Sequence, residues 1–377
     1  MKSSACGENP MTQKLKLLTL LFASLGLFGC GPNYEIITTC TDKGDIHPIC
    51  GLKNPEDLYL LDDDNTVIVS QFGSLTQQQS GSLALLKLDS EQFQVVYPKT
   101  TSTLTSTLTP TNSDNGEFWG AGCPSEPGAN INPHGIDYDP ESGRLLVINH
   151  GGRESIEMFQ VIKTQNGDYD LQWRGCVVAP PGAFLNDVAH LPSGGFVATH
   201  MFDPQSAAWE NLIAAFGVNT GWVYQWQPES GFTQLPGTEV PFANGITVSE
   251  DGKIIYLNAY AIGEVRKIER ESGKLLATAQ ISNPDNIAWS KDRKLLVASH
   301  RGSVADLLQC GDLASGACPL PFAITEIEPE TFAYRDIFEN AAEPMGAGTV
   351  ALDLGNDNLL IGAFAGDRVI RVKLAKP

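Results

Sequence analysis

The chain has 377 residues, among them 37 glycines and 23 prolines, and only 18% are charged. That length allows one large domain or two ordinary ones, and the turn-rich, charge-poor balance favours an all-β fold over a helical one. A formal net charge of −19 excludes a nucleic-acid role, which needs a basic face against phosphate, and it suits solubility and cation binding.

The first element, residues 1–29, reads as a signal peptide and lies outside fold reasoning. Lys14 and Lys16 precede the apolar run LLTLLFASLGLFG, which is too short to span a bilayer as a helix, and Met11 offers an alternative start. The run closes as LFGC and resembles a bacterial lipobox, which would make Cys30 a lipidated N-terminus. Phe28 is bulky for that motif, so plain secretion is the alternative. The expected product is an exported lipoprotein of the bacterial envelope, in the outer membrane or facing the periplasm, membrane-attached through Cys30. Residues 30–49 read as an N-terminal tether and residues 50–377 as the folded domain. Beyond Cys30, six cysteines in an exported chain read as three disulfides. Proximity suggests Cys40–Cys50 and Cys310–Cys318, leaving Cys123–Cys176, from fifteen possible pairings. No cysteine–histidine cluster has zinc spacing.

From residue 56 onward a repeat emerges. A polar pair and an aliphatic residue open one strand, a turn follows, and a second strand ends about fifteen residues on. The copies begin EDLYL at Glu56, HGIDY at His134, NDVAH at Asn186, NGITV at Asn244, DNIAW at Asp285 and GTVAL at Gly348. Their second strands read NTVIVSQ, GRLLVINH, GGFVATH, GKIIYLNAY, RKLLVASH and DNLLIGAF. The connecting residues, such as Pro-Ser-Gly-Gly and Glu-Asp-Gly, are hairpin chemistry. Starts lie 78, 52, 58, 41 and 63 residues apart, room for four antiparallel strands each. Six such units predict a six-bladed β-propeller. Between the repeats, KTTSTLTSTLTPTNSDNG at 99–116 reads as a surface loop. PQSAAWENLIAAFG at 204–217 reads as a short amphipathic helix with Trp209, Leu212, Ile213 and Phe216 on one face, serving either as a pocket wall or as simple packing.

Equivalent positions of a propeller face the same place, so the first residues of the six copies should ring one mouth of a central tunnel. That set is Glu56, His134, Asn186, Asn244, Asp285 and Gly348. Turn-forming residues before strands would account for any one of these, but five at one repeat phase ask for more. A buried carboxylate is costly unless it is paired or metal-bound, and an oxygen-only set of carboxylates and amides suits a hard cation such as calcium. The expected fold is therefore an all-β, six-bladed propeller around a central calcium tunnel.

These stretches resemble the paraoxonase group of calcium-dependent lactonases and arylesterases, within the propeller superfamily that includes gluconolactonases. The matching segments are PEDLYLL, NPHGIDY, LLVINHGGRESIEMFQV, LNDVAH, WENL, PFANGITVSEDGKIIY, DNIAW and GTVALDLGNDNLLIGAF, in the same order over about residues 50–374. The resemblance implies two calcium ions. Glu56, Asn186, Asn244, Asp285 and Asn286 match the ligands of a catalytic ion near the mouth. Asp57, Asp187 and the backbone carbonyl of Ile136 match those of a deeper structural ion. It also implies that His134 activates water and that His150, at the end of the next strand, orients His134 and takes its charge. His200 and His300 fall at the same strand-end phase as His150 and line the pocket or hydrogen-bond across it.

Two departures limit the transfer. The animal enzymes tie a cysteine matching Cys50 to one near the C-terminus, whereas this chain ends RVIRVKLAKP, so closure must rest on strand pairing or another bridge. An acidic residue that commonly precedes the histidine matching His200 is Thr199 here. No GxSxG elbow is present, which points away from a serine nucleophile. The leading expectation is a calcium-dependent lactonase with promiscuous arylesterase activity, acting as a monomer on a small lactone or ester. The alternatives are a gluconolactonase-type sugar lactonase, which needs a polar pocket, and a non-catalytic propeller stabilised by calcium and used for binding.

Overall fold

The computed structural model of the protein describes residues 35–375, apart from 75–78, 100–118, 121–122, 124, 303–309, 311–312, 314 and 342. The signal segment, Cys30, most of the Thr/Ser-rich stretch and part of the loop inside Cys310–Cys318 lie outside the described residues.

Each sequence repeat becomes a sheet of four antiparallel strands. Blade one comprises Pro55–Leu60, Thr66–Gln71, Ser82–Lys87 and Gln92–Tyr97. Blade two comprises Pro133–Asp139, Arg144–Asn149, Ser155–Lys163 and Tyr169–Val178. Blade three comprises Leu185–His190, Phe196–His200, Trp222–Gln227 and Gly231–Gln234. Blade four comprises Ala243–Val248, Ile254–Ala259, Glu264–Glu269 and Leu275–Gln280. Blade five comprises Pro284–Trp289, Leu295–His300, Phe322–Ile327 and Tyr334–Asn340. Blade six comprises Gly348–Gly355, Asn358–Ala363 and Arg368–Lys373, and it borrows its outermost strand, Ile46–Cys50, from the other end of the chain. The first strand of every blade packs against the first strand of its neighbours, closing a ring. The fold is a six-bladed β-propeller, as the repeat predicts.

Burial explains the residue choice. The second strands are buried almost throughout, and TVIVSQ and LLVASH along their whole length, because a blade covers each face. The outer strand QFQVVY is largely exposed. One apolar cluster fills each gap between blades. Leu83, Leu85, Leu145 and Phe159 lie between the first and second, for instance, and Leu296, Ile324, Ile361 and Ile370 lie between the fifth and sixth. Burying each such aliphatic or aromatic side chain contributes about 1.5–3 kcal/mol, so the ring is held by many equivalent seams and by no single centre.

The three disulfides are Cys40–Cys50, Cys123–Cys176 and Cys310–Cys318. Cys50 ends the borrowed strand, so closure rests on strand pairing, Ile46 with Val372 through Cys50 with Arg368. Arg368 secures that closure. Its side chain is 1% exposed, pairs with Asp367 at 2.7 Å, and donates to the backbone carbonyls of Ile37, Thr39 and Pro344. The helix Ala207–Ala214 forms where expected, but its apolar side chains do not pack as one face. Ala214 is buried, while Trp209 is 63% and Phe216 81% exposed.

Arg368→Ala should lower the unfolding free energy by about 3 kcal/mol, since it strips one partner from a buried pair and strands buried carbonyls. The check is a lower denaturant midpoint at unchanged slope. A midpoint equal to the parent's would contradict the latch.

Candidate functional site

All six inner strands start with the same irregularity. Pairing to the second strand skips a step between Pro55 and Asp57 in blade one and at the matching place in the other five. A bulge interrupts the alternation of side chains and re-aims them, which lets two consecutive polar residues leave the sheet toward the tunnel. The residue before the strand has positive φ in four blades, at Asn54, Phe242, Asn283 and Ala347. For a bulky residue such as Phe242 that conformation is strained and is held by its surroundings. Close approach of neighbouring inner strands also requires Gly135, where a Cβ would come within 2.5 Å of Asp187 Oδ1.

The bulges bring together every predicted ligand of the upper layer. Glu56, Asn186, Asn244, Asp285 and Asn286 are all buried at the tunnel. The asparagine amides are oriented by their nitrogens. Asn286 Nδ2 donates to Glu56 Oε1 at 2.9 Å, across a tunnel whose sixth blade separates their own blades. Asn186 Nδ2 meets the Met201 sulfur at 3.4 Å, and Asn244 hydrogen-bonds Asp285. Their oxygens are then left over. Glu56 Oε2 and the Oδ1 atoms of Asn186, Asn244 and Asn286 are buried with no hydrogen-bond donor among the described residues. Leaving a buried acceptor unpaired costs roughly 1–3 kcal/mol each, and here such oxygens recur at the starting ends of four inner strands. The donor set fits a hard, oxygen-seeking cation.

The electrostatics agree. Burial, reinforced by Asp57 and Asp285, pushes Glu56 well above the usual carboxylate range. Burial raises Asp57 and Asp285 to about 7, and burial together with Asp57 pushes Asp187 well up. A cation reverses that preference for protons.

The deeper layer is built differently. Asp57 accepts the backbone N–H groups of Leu58 and Ile136, at 2.8 and 2.7 Å, and Asp187 accepts those of Val188 and Ile246, both at 2.8 Å. These carboxylates therefore stitch blade one to two and blade three to four. Ile136 meets Asp57 through its N–H. A cavity of about 360 Å³ reaches Asp57, Ile136, Asp187 and Ile246 and opens past Asp62, Asp64 and Lys291. Neither His134 nor His150 lines it.

His134 and His150 meet as the sequence predicts. His134 Nδ1 lies 2.9 Å from His150 Nε2, and His134 Nε2 lies 3.6 Å from Glu56 Oε1. Burial, then the neighbouring His150, holds His134 well below its ordinary pKa, so it is neutral near pH 7. His200 and His300 are held at about 4 by burial. His200 Nδ1 accepts the Phe184 N–H, His300 Nδ1 faces the Tyr260 hydroxyl at 3.0 Å, and His300 Nε2 lies 3.6 Å from Asp285.

Sequence reasoning missed two features. One is Glu154, whose Oε2 is 2.9 Å from His150 Nδ1. It sits four residues past His150 in the turn Gly-Gly-Arg-Glu, and an acidic residue at that offset was its only signal. The other is an unbroken aromatic arc at the mouth. Ring centroids 4.5–6.0 Å apart run from Phe72 through His134, His150, Phe184, Phe202, Phe242, Tyr260 and His300 to Phe364.

The chain matches a family model described as arylesterase over residues 72–364. Serum paraoxonase/arylesterase 1 of Mus musculus is 27% identical over 165 residues, 42% of this chain and 44% of that protein. Its Homo sapiens counterpart is 26% identical over 151 residues, 38% of this chain and 40% of that one. The chain thus spans less than half the length of these curated relatives. Among solved structures, a gluconolactonase from Xanthomonas campestris is similar with a TM-score of 0.51 at 14% identity, over 88% of this chain and 89% of that one, a likeness of fold alone.

The buried carboxylates give a pH prediction for the cation-free protein. Asp57 and Asp285 sit at about 7 in the fold against about 4 when unfolded, so the folded state holds extra protons and loses stability as pH rises through about 7. The buried histidines, held low in the fold and titrating near 6.5 when unfolded, oppose this around pH 6.5 and cease to above about pH 7.5. With divalent cations chelated, the melting temperature should fall between about pH 7 and 8.5, and saturating cation should remove the fall. A flat profile in chelator would rule out the mutual repulsion.

Proposed function

This chain belongs to the arylesterase family, and from that premise we propose that it is a calcium-dependent hydrolase that opens lactones and cleaves aryl esters as a lesser activity. The observation that carries the proposal is the set of donor-less buried oxygens beside the free Nε2 face of His134. Glu56, Asn186, Asn244, Asp285 and Asn286 would hold the catalytic ion. Asp57, Asp187 and the Ile136 carbonyl would hold a second, structural one, where the carboxylates already accept backbone N–H groups.

When bound, calcium supplies positive charge for the carbonyl oxygen of an ester or lactone as that oxygen becomes negative. The protein's own groups do the rest. His134, neutral at working pH, takes a proton from the attacking water at Nε2. His150 accepts a hydrogen bond from the opposite nitrogen of His134, fixes the ring and shares the charge that arrives. The arc from Phe72 to Phe364 offers apolar surface to the non-reacting part of the substrate and keeps bulk water away. A sugar lactone would need hydroxyl-binding groups there, so the arc favours an apolar lactone over the gluconolactonase reading.

Export through residues 1–29 and anchoring by lipidated Cys30 complete the proposal. Three disulfides support an oxidising compartment. Among the described residues, no helix is long and apolar enough to cross a membrane. Cys30→Ser should move the protein from the membrane fraction to the aqueous one, and an unmodified protein that already partitions into water would refute the anchor.

His134→Gln should lower lactone turnover by roughly 10²–10⁴-fold, the range for losing a positioned base, with calcium affinity nearly unchanged. His150→Gln should cost less, and an activated aryl ester should suffer less than a lactone. Side-by-side kinetics with both substrates are the check. Full lactonase activity in both variants would remove the histidines from the mechanism.

A further inference from the structure

The His134–His150 pair does not end at His150. Glu154 spends each carboxylate oxygen on a different donor: Oε2 on His150 Nδ1 at 2.9 Å, and Oε1 on the backbone N–H of Leu185 at 2.6 Å. Its neighbour Arg153 does not compete for this charge, because it is engaged with Glu157 at 2.9 and 3.0 Å. His150 is further held by Phe184, whose ring lies 4.5 Å away and tilted 31°, and by the edge contact of Phe72. The His150 side chain is buried, while that of Glu154 is 18% exposed.

From these contacts we infer that Glu154 is the positioning residue that sets the proton arrangement of both histidine rings and so leaves the His134 Nε2 lone pair free. The reasoning is donor–acceptor counting. A carboxylate only accepts, so His150 Nδ1 must carry the proton. A neutral His150 then presents a bare Nε2, and the 2.9 Å contact requires the His134 proton to be on Nδ1. Neutral His134 is left with an unprotonated Nε2. That atom stands 3.6 Å from Glu56 Oε1, beyond hydrogen-bond range, so nothing in the described site occupies the lone pair. Glu154 also supplies negative charge that stabilises the imidazolium formed when His134 accepts a proton. Through Leu185 it ties the pair to the strand that carries Asn186, the next residue along.

The inference rests on the reading above that His134 is the general base, and its test separates the two. In Glu154→Gln the Leu185 N–H still needs an acceptor, so the amide oxygen stays with it and the amide NH₂ turns to His150. His150 Nδ1 must then accept, its Nε2 becomes the protonated nitrogen, and His134 is forced to carry its proton on Nε2, where it can no longer take one. Ring ¹⁵N shifts of the histidine-labelled, calcium-saturated protein, recorded at mildly alkaline pH, should show protonated Nδ1 atoms on His134 and His150 in the parent and protonated Nε2 atoms in Glu154→Gln. Turnover of an aliphatic lactone should fall roughly 10²–10⁴-fold in that variant with KM little changed. Glu154→Asp, still an acceptor, should keep the parent's ring protonation and an intermediate turnover, and it carries the test alone should the glutamine variant not fold. Parent spectra with the proton on His134 Nε2 would overturn the inference, as would ring shifts that ignore the glutamine substitution. Unchanged turnover in a variant whose tautomers have inverted would overturn the catalytic importance of the relay. Inverted tautomers in a protein whose parent hydrolyses neither lactone nor aryl ester would uphold the relay and refute the hydrolase reading.

Discussion

Four buried carboxylates, Glu56, Asp57, Asp187 and Asp285, surround one tunnel, and their repulsion is the constraint that the rest of the structure answers. Backbone N–H groups answer it for the deeper pair, two to Asp57 and two to Asp187. Among the described residues, no donor answers it for Glu56 Oε2 or for the unpaired amide oxygens of Asn186, Asn244 and Asn286. The asparagines sharpen the demand, since each gives its NH₂ to a neighbour and turns its oxygen to where a cation is needed. An ensemble of oxygens in that state is costly unless a proton or a cation offsets it.

The propeller is what makes so costly an arrangement possible. Six apolar seams between blades stabilise the ring, and a strand from the chain's beginning closes it with Arg368 as the latch. Against that background a bulge can recur at the same place in all six inner strands, with positive φ just before four of them. Positive φ also occurs in turns such as those at Asp64 and Arg293, but only at the strand starts does it recur where the site residues leave the sheet. The same seams pass hydrogen bonds from blade to blade, such as Ser70 to the His134 carbonyl and Thr349 to that of Glu56.

Much of this was legible in the sequence because a propeller converts repeat phase into spatial position. The six strand starts, the second strands and the three disulfides follow from phase and spacing, and the juxtaposition of His134 with His150 from the family resemblance. What was not legible depends on atoms that have no repeat signature. Glu154 lies in a turn unique to its blade. Phe72, Phe184, Phe242 and Phe364 stand just outside strands, scattered along the chain, and only the closed ring lines them up. The closing strand, IHPIC, reads poorly because a proline interrupts it, which an edge position tolerates. The helix Ala207–Ala214 was legible as a helix, but its periodicity could not say that Trp209 and Phe216 would face outward. Asp57 and Asp187 were read only as ligands, and their backbone partners became visible only with neighbouring blades in place.

The central claim, that the unpaired oxygens of the upper layer hold a hard cation, is tested most directly by a crystal structure of the protein grown with calcium. The account predicts density for one ion within about 2.3–2.6 Å of Glu56 Oε2 and the side-chain oxygens of Asn186, Asn244 and Asn286, with Asp285 completing the shell. Density for water alone at that place, or asparagine amides turned so that their nitrogens face the tunnel axis, would contradict it.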